Sequence, residues 1–182
     1  PDGGRIATGG YDGTLRIWDT RPGRELLTLA GHTDEVWNVV YSPAGPQLGS
    51  ASMDGTARLW DVATGQVLRT LTQDGGLADG LTALAFRPDG KRLAAGNVSG
   101  LVTIWDLETG QVEMTLAGHT TLIYGLAFSP DGRRLATTSW DGTSRVWDLA
   151  AGKELSTFHG DQVRLPGPGS LNDIAFSPDG KR

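Results

Sequence analysis

Two histidines, His32 and His119, are the side chains in this chain best suited to chemistry near neutral pH. Imidazole is the usual general base and a frequent metal ligand. Sixteen aspartates are the other candidates, because hydrolysis by paired carboxylates needs two carboxyls facing one bond. Sequence context argues against both uses. Eleven of the sixteen stand in turn signals: four follow Trp, three open an Asp-Gly-Thr triplet and four sit inside Pro-Asp-Gly. That leaves Asp34, Asp74, Asp79, Asp161 and Asp173, and nothing marks a pair among them. There is no Gly-x-Ser-x-Gly, no phosphate loop ending in Gly-Lys-Ser/Thr and no metal-spaced pair of histidines. Cysteine is absent, which excludes disulfides and thiolate metal sites. The chain therefore reads as a non-enzyme with no catalytic residue, no metal and no cofactor.

Composition narrows the partners. The 182 residues carry a net charge of −5 with no basic patch, which argues against nucleic acid. No run of eighteen apolar residues occurs, so no membrane partner is expected and the protein reads as soluble and cytoplasmic. The chain begins at Pro1, without an initiator Met or a signal-like apolar segment, and reads as a fragment or trimmed chain. Thirteen Arg against three Lys, with abundant Ala and Gly, hint at a bacterial coding origin.

The elements that must position these side chains are announced by repetition. Trp-Asp recurs at Trp18-Asp19, Trp60-Asp61, Trp105-Asp106 and Trp147-Asp148, at intervals of 42, 45 and 42 residues. Ahead of each pair stand YDGT, MDGT, VSGL and WDGT, and further upstream SPAG, RPDG and SPDG. A period of this length marks a repeat architecture. The 27 glycines and nine prolines punctuate short β-branched runs, as in many strands joined by tight turns. In the second unit the pattern predicts strands at Val36–Tyr41, 47–52, 56–61 and 66–71.

The repeated text resembles the WD-repeat β-propeller family, over essentially the whole chain. The resemblance implies an all-β fold of four four-stranded antiparallel blades, sixteen strands, in one unit spanning 1–182. It also implies a blade shared by the two termini, combining 1–30 with 170–182, since both ends fall in the same inter-strand turn. Four such blades sweep half of an eight-bladed ring. A second copy is expected to complete it as a homodimer; half of a longer propeller and a strained four-bladed ring are the alternatives.

The same resemblance implies that the histidines hold the fold together. It places His32, Ser50, Asp54 and Trp60 in one buried hydrogen-bond chain, and His119, Thr137, Asp141 and Trp147 in another. The first unit keeps Thr8, Asp12 and Trp18, with its His position falling near Asp161. The third departs at Asp74, Ala95 and Ser99, leaving Trp105. Arg16, Arg58 and Arg145 share one position and are expected to stack or pair between blades.

Binding is expected at the upper mouth of the channel. The resemblance places Glu35, Trp37, Gly80, Thr82, Leu122, Tyr124, Ser170 and Asn172 there from the inner strands. Tyr11, Met53, Val98 and Trp140 come from the turns. Loops at 72–80 and 160–169 should border that face. Aromatic residues dominate interface hot spots, so Tyr11, Trp37, Met53, Leu122, Tyr124 and Trp140 are the candidate partner-binding residues. The expected function is a non-catalytic scaffold for an unidentified protein or peptide. Alternatives are a purely structural or regulatory module cut from a larger bacterial signalling protein, and a propeller enzyme.

Overall fold

The computed structural model describes residues 3–73, 79–160 and 174–180. These form fifteen strands and no helix, so none is a helix long and apolar enough to cross a membrane. The first sheet holds β1 (Arg5–Gly9), β2 (Thr14–Asp19) and β3 (Glu25–Ala30). The second holds β4 (Val36–Tyr41), β5 (Gln47–Ser52), β6 (Thr56–Asp61) and β7 (Val67–Thr72). The third holds β8 (Leu81–Phe86), β9 (Arg92–Asn97), β10 (Val102–Asp106) and β11 (Val112–Leu116). The fourth holds β12 (Ile123–Phe128), β13 (Arg134–Ser139), β14 (Thr143–Asp148) and β15 (Lys153–His159). Every sheet is an antiparallel meander in chain order. In the second unit three strands coincide with the spans expected from sequence, and the fourth lies one residue further on.

Turn chemistry explains the boundaries. Asp54 Oδ1 accepts from the backbone N–H of Thr56 at 2.9 Å and from its hydroxyl at 2.7 Å, and Gly55 between them takes φ +80°. An L side chain there would be strained. At the other end, Asp61 Oδ1 accepts from the N–H groups of Ala63 and Thr64. Asp106 and Asp148 repeat that turn. The aspartate of each of these Trp-Asp pairs thus closes the hairpin to the outer strand.

Sheets pack face to face in chain order. β1 lies against β4, β5 against β8 and β9 against β12, while the first strands β4, β8 and β12 touch in series. Each junction has its own apolar core. Leu15, Ile17 and Leu29 meet Leu48 and Trp60; Ala57, Leu59 and Leu71 meet Leu93 and Trp105; Val102, Ile104 and Leu116 meet Leu135 and Trp147. At each of the three junctions the later sheet presents its Trp to the preceding sheet, whose opposite face covers it. Burial on both faces is why these strands read as apolar runs and not as strict alternation.

The sixteenth strand is not among the described residues. The first sheet has three strands, not four. The segment expected to complete it includes 170–173, outside the described residues, and 174–180 form no strand. The turn at 177–180 repeats the one at 129–132, with Ser177 donating to Asp179 as Ser129 donates to Asp131. It lies beside it: a Cβ on Gly180 would stand 3.5 Å from Pro130 Cδ. Gly132 meets Arg87 of the third sheet in the same way, so 177–180 take the next place in the series after sheet four.

Candidate functional site

The two buried polar chains are built as the repeats suggested. Trp60 Nε1–H donates to Ser50 Oγ at 2.8 Å, and Ser50 Oγ lies 2.7 Å from His32 Nε2. His32 Nδ1 lies 2.8 Å from Asp54 Oδ2, which also accepts from the Thr33 N–H. The roles follow from the partners. Asp54 can only accept, so Nδ1 carries the proton and Nε2 accepts from Ser50. His119 repeats the arrangement with Thr137 at 2.7 Å, Asp141 at 2.8 Å and Trp147 at the far end.

Burial of His32 and His119 depresses their pKa, with the hydrogen bonds to Asp54 and Asp141 opposing it only in part. Burial also pushes Asp54 up, but bonds from Thr56, His32 and Thr33 outweigh it and hold the carboxyl at about 2. Both ring nitrogens of each histidine are thus engaged inside the protein. Among the described residues no group of three His, Cys, Asp or Glu could hold a metal.

The first sheet keeps the Trp-to-hydroxyl bond without a histidine among its described residues, and the third uses different atoms. In the first, Trp18 Nε1–H donates to Thr8 at 2.9 Å. Its turn Asp12 is held at about 2 by Thr14 and Arg16. The expected partner near Asp161 lies outside the described residues, as does Asp74 in the third sheet. There Trp105 donates to the Thr72 carbonyl at 3.0 Å. Gln73 bridges Thr103 and Asn97, and Asn97 Oδ1 caps the turn by accepting from Ser99 and Leu101. Sequence reading missed Gln73, Thr103 and Asn97. The signal was a polar Asn97 closing an otherwise small apolar strand, two positions ahead of the missing Asp.

The arginines need a correction. Arg16 binds Asp12 at 2.6 Å and approaches Glu25, and Arg145 binds Glu154 at 2.5 Å. Both pairings lie within one sheet, since Asp12 caps the turn ahead of β2 while Glu25 and Glu154 stand on the outer strand opposite the Trp, diagonal to the arginine. Arg58 instead lies against Gly31, which leads out of the first sheet, as a contact between blades.

The upper end is where β4, β8 and β12 begin and where the turns after β1, β5, β9 and β13 lie. Its geometry rests on three equivalent β-bulges. Register shifts between Val36 and Asn38, between Leu81 and Ala83, and between Ile123 and Gly125. Each bulge leaves one residue without a ladder partner: Trp37, Thr82 and Tyr124. A bulge re-aims its side chain. Trp37 and Trp140 are exposed, and Tyr11 is 82% exposed. Tyr124 is half-buried, with its ring 5.2 Å from that of Trp140. Trp37 Nε1–H donates to Glu35 Oε2 at 2.8 Å, which fixes the indole.

Other members of the expected rim do not reach solvent equally. Leu122 is buried, and its carbonyl accepts from the Trp140 N–H. Met53 is half-buried and packs over Gly80. Thr82 is buried, donating to the Ile123 carbonyl at 2.6 Å and so tying two first strands together. Ser170, Asn172 and much of both bordering loops lie outside the described residues. Gly9, Tyr11, Val36 and Trp37 line a cleft of about 270 Å³ between the first two sheets. A larger cleft of about 540 Å³ opens between sheets three and four at the lower end. Its Arg92 is already paired with Asp106 and Glu113.

This fold and this repeated Trp-anchored hydrogen bonding define a WD-repeat protein. The family model described as WD domain, G-beta repeat matches residues 1–19, 23–61, 65–106 and 110–148. The chain belongs to that family. Coronin-7 of Rattus norvegicus is 46% identical over 43 residues, covering 24% of this chain and 5% of that protein. Nuclear distribution protein PAC1-2 of Postia placenta is 46% identical over 43 residues, covering 24% and 10%. Ribosome assembly protein 4 of Chaetomium thermophilum is 52% identical over 44 residues, covering 24% and 8%. The match thus spans a tenth or less of the length of each of these relatives. All three are eukaryotic, so the bacterial origin hinted at by composition finds no support in them.

Proposed function

We propose that the chain is a non-catalytic scaffold that receives a peptide or protein on its upper rim, around Trp37, Tyr124, Trp140 and Tyr11. The observation that carries this reading is the pair of bulges that turn Trp37 and Tyr124 out of their ladders. The equivalent bulge residue Thr82 turns inward, so the bulge supports binding through the exposure of Trp37 and of Trp140, the neighbour of Tyr124. Membership of a family of interaction modules supports the same reading. The test selects binders from a displayed peptide library and measures their affinity for the Trp37→Ala/Trp140→Ala double variant. Loss of binding with an unchanged melting temperature supports the reading. Equal binding, or a melting temperature that collapses with the substitutions, overturns it.

A second reading concerns assembly: two copies close one ring, with segment 170–182 of each chain supplying the missing strand beside β1 of the other. Two exposures favour it. Ile6 is 52% exposed, while Leu48, Leu93 and Leu135 at the same place in the other sheets are fully buried. Phe158 is 56% exposed, against 1–2% for Leu29, Leu71 and Leu116. The first sheet's Trp face and the fourth sheet's opposite face are thus a matched pair of the kind that packs at all three internal junctions. Sedimentation equilibrium giving twice the mass of one chain supports this. A monomer overturns it and leaves further repeats of a longer chain as the cover for both faces.

A further inference from the structure

We propose that the cleft between Tyr11 and Trp37 takes the cationic side chain of a partner peptide, an arginine or lysine, with Glu35 and Asp34 as its counter-charges. The inference rests on the upper rim being the partner surface and specifies what that surface selects.

Charge complementarity carries the choice of occupant. The described segments that make up the upper end are 9–13, 31–37, 52–56, 79–82, 97–101, 118–124 and 139–143. They contain six carboxylates, Asp12, Asp34, Glu35, Asp54, Asp79 and Asp141, and no Lys or Arg. The opposite turns carry Arg21, Arg24, Arg87, Lys91, Arg133 and Lys153. Three guanidiniums reach this end from below. Arg16 is neutralised by Asp12 and Glu25, Arg145 beside Gly118 by Glu154, and Arg58 lies beside Gly31, so the six carboxylates still outnumber the cations that face them. His32 and His119 are neutral within their networks, so they leave Asp54 and Asp141 as net negative charge. A potential of one sign over a recessed surface draws the opposite charge and repels its own.

The cleft adds a geometric reason. Its walls are two aromatic faces, the exposed Tyr11 and the Trp37 indole held by Glu35. Gly9 keeps its floor low, because a Cβ there would collide with Val36. Indole is the strongest of the aromatic faces toward a cation. A carboxylate has about four lone-pair sites, so the bond from Trp37 leaves Glu35 able to accept from a guanidinium or ammonium. A neutral apolar side chain would use the rings but leave the charge of the two carboxylates unmatched.

The experiment measures, by fluorescence anisotropy and NMR titration, a Gly/Ala octapeptide with one central arginine. Its twins carry citrulline, lysine or glutamate at that position. The arginine and lysine peptides should bind about tenfold tighter than the neutral citrulline twin, and the glutamate peptide should not bind. Glu35→Gln should remove most of that margin without changing the melting temperature, as should Tyr11→Ala at its exposed position. Equal binding of the arginine and citrulline peptides, both weakened by Trp37→Ala, overturns the cation reading while the rim survives as a binding surface. No binding of the arginine peptide at millimolar concentration also overturns it. The rim reading itself fails separately, when library-selected binders ignore both tryptophans.

Discussion

Ser50 Oγ lies 2.7 Å from His32 Nε2 and in the same position receives the Trp60 N–H at 2.8 Å. One hydroxyl therefore serves two buried rings that have no other partner at those atoms. Ser50→Ala should leave an indole N–H without an acceptor and an imidazole nitrogen without a donor. Orphaned buried groups cost about 1–3 kcal/mol each, so the urea midpoint should fall clearly. Ser50→Thr, which copies Thr137 of the other network, should be far milder. Equal losses for the two substitutions would show that shape, not hydrogen bonding, governs the site.

Acid should destabilise the protein in two steps. His32 and His119 have folded-state pKa values below the ordinary 6.5, so below that pH the unfolded chain binds more protons and stability falls as pH falls. The second step comes from Asp54, ordinarily 3.8 and held at about 2; its contribution is lost as pH drops through that interval. Chemical denaturation between pH 8 and pH 4.5 should show a flat region above pH 7.5 and a decline below 6.5. The His32→Asn/His119→Asn variant should be less stable at pH 8 yet show a shallower decline. A slope unchanged in that variant would assign the acid sensitivity to other groups.

The four Trp-Asp tryptophans should not be equivalent. Trp60 and Trp105 are fully buried and Trp147 nearly so, whereas Trp18 is half-buried. Truncating a buried tryptophan to alanine typically costs about 3–5 kcal/mol. Trp60→Ala and Trp105→Ala should approach that range, and Trp18→Ala should cost clearly less in the isolated chain. If two chains close the proposed ring, Trp18 becomes covered and the difference should shrink as protein concentration rises.

Charge placed on the open faces should act on assembly and not on folding. Ile6→Lys and Phe158→Glu substitute exposed side chains, so each should unfold at nearly the wild-type denaturant concentration when wild type is diluted to its own monomer. Each variant alone should sediment as a monomer. Mixed, they should recover part of the association through the new charge pair, which a chain without a head-to-tail junction would not do.

Much of the fold was legible from Trp60 and its equivalents, because local chemistry repeats with them. Gly55 is at a left-handed φ and Asp54 caps its own turn, so strand ends are written into short segments. The His32 and His119 networks could be placed because every member has a fixed offset within one unit. Where offsets changed, the reading lost its grip. Gln73, just past β7 of the second sheet, meets Thr103 and Asn97 of the third only after β9 and β10 pair and the two sheets pack.

What the amino-acid order decided by itself was the blade, its turns and its buried polar chain, since those contacts lie within about forty residues. Tertiary structure alone decided which rim residues meet solvent. Leu122, Trp37 and Tyr124 looked alike as candidates, yet one is buried and two are bulge residues. Likewise Ile6 and Leu48 occupy the same place in the repeat, and only the presence or absence of a neighbouring sheet separates an exposed side chain from a core one. Exposure belongs to the packing between units, and a periodic sequence carries no mark of where that packing stops.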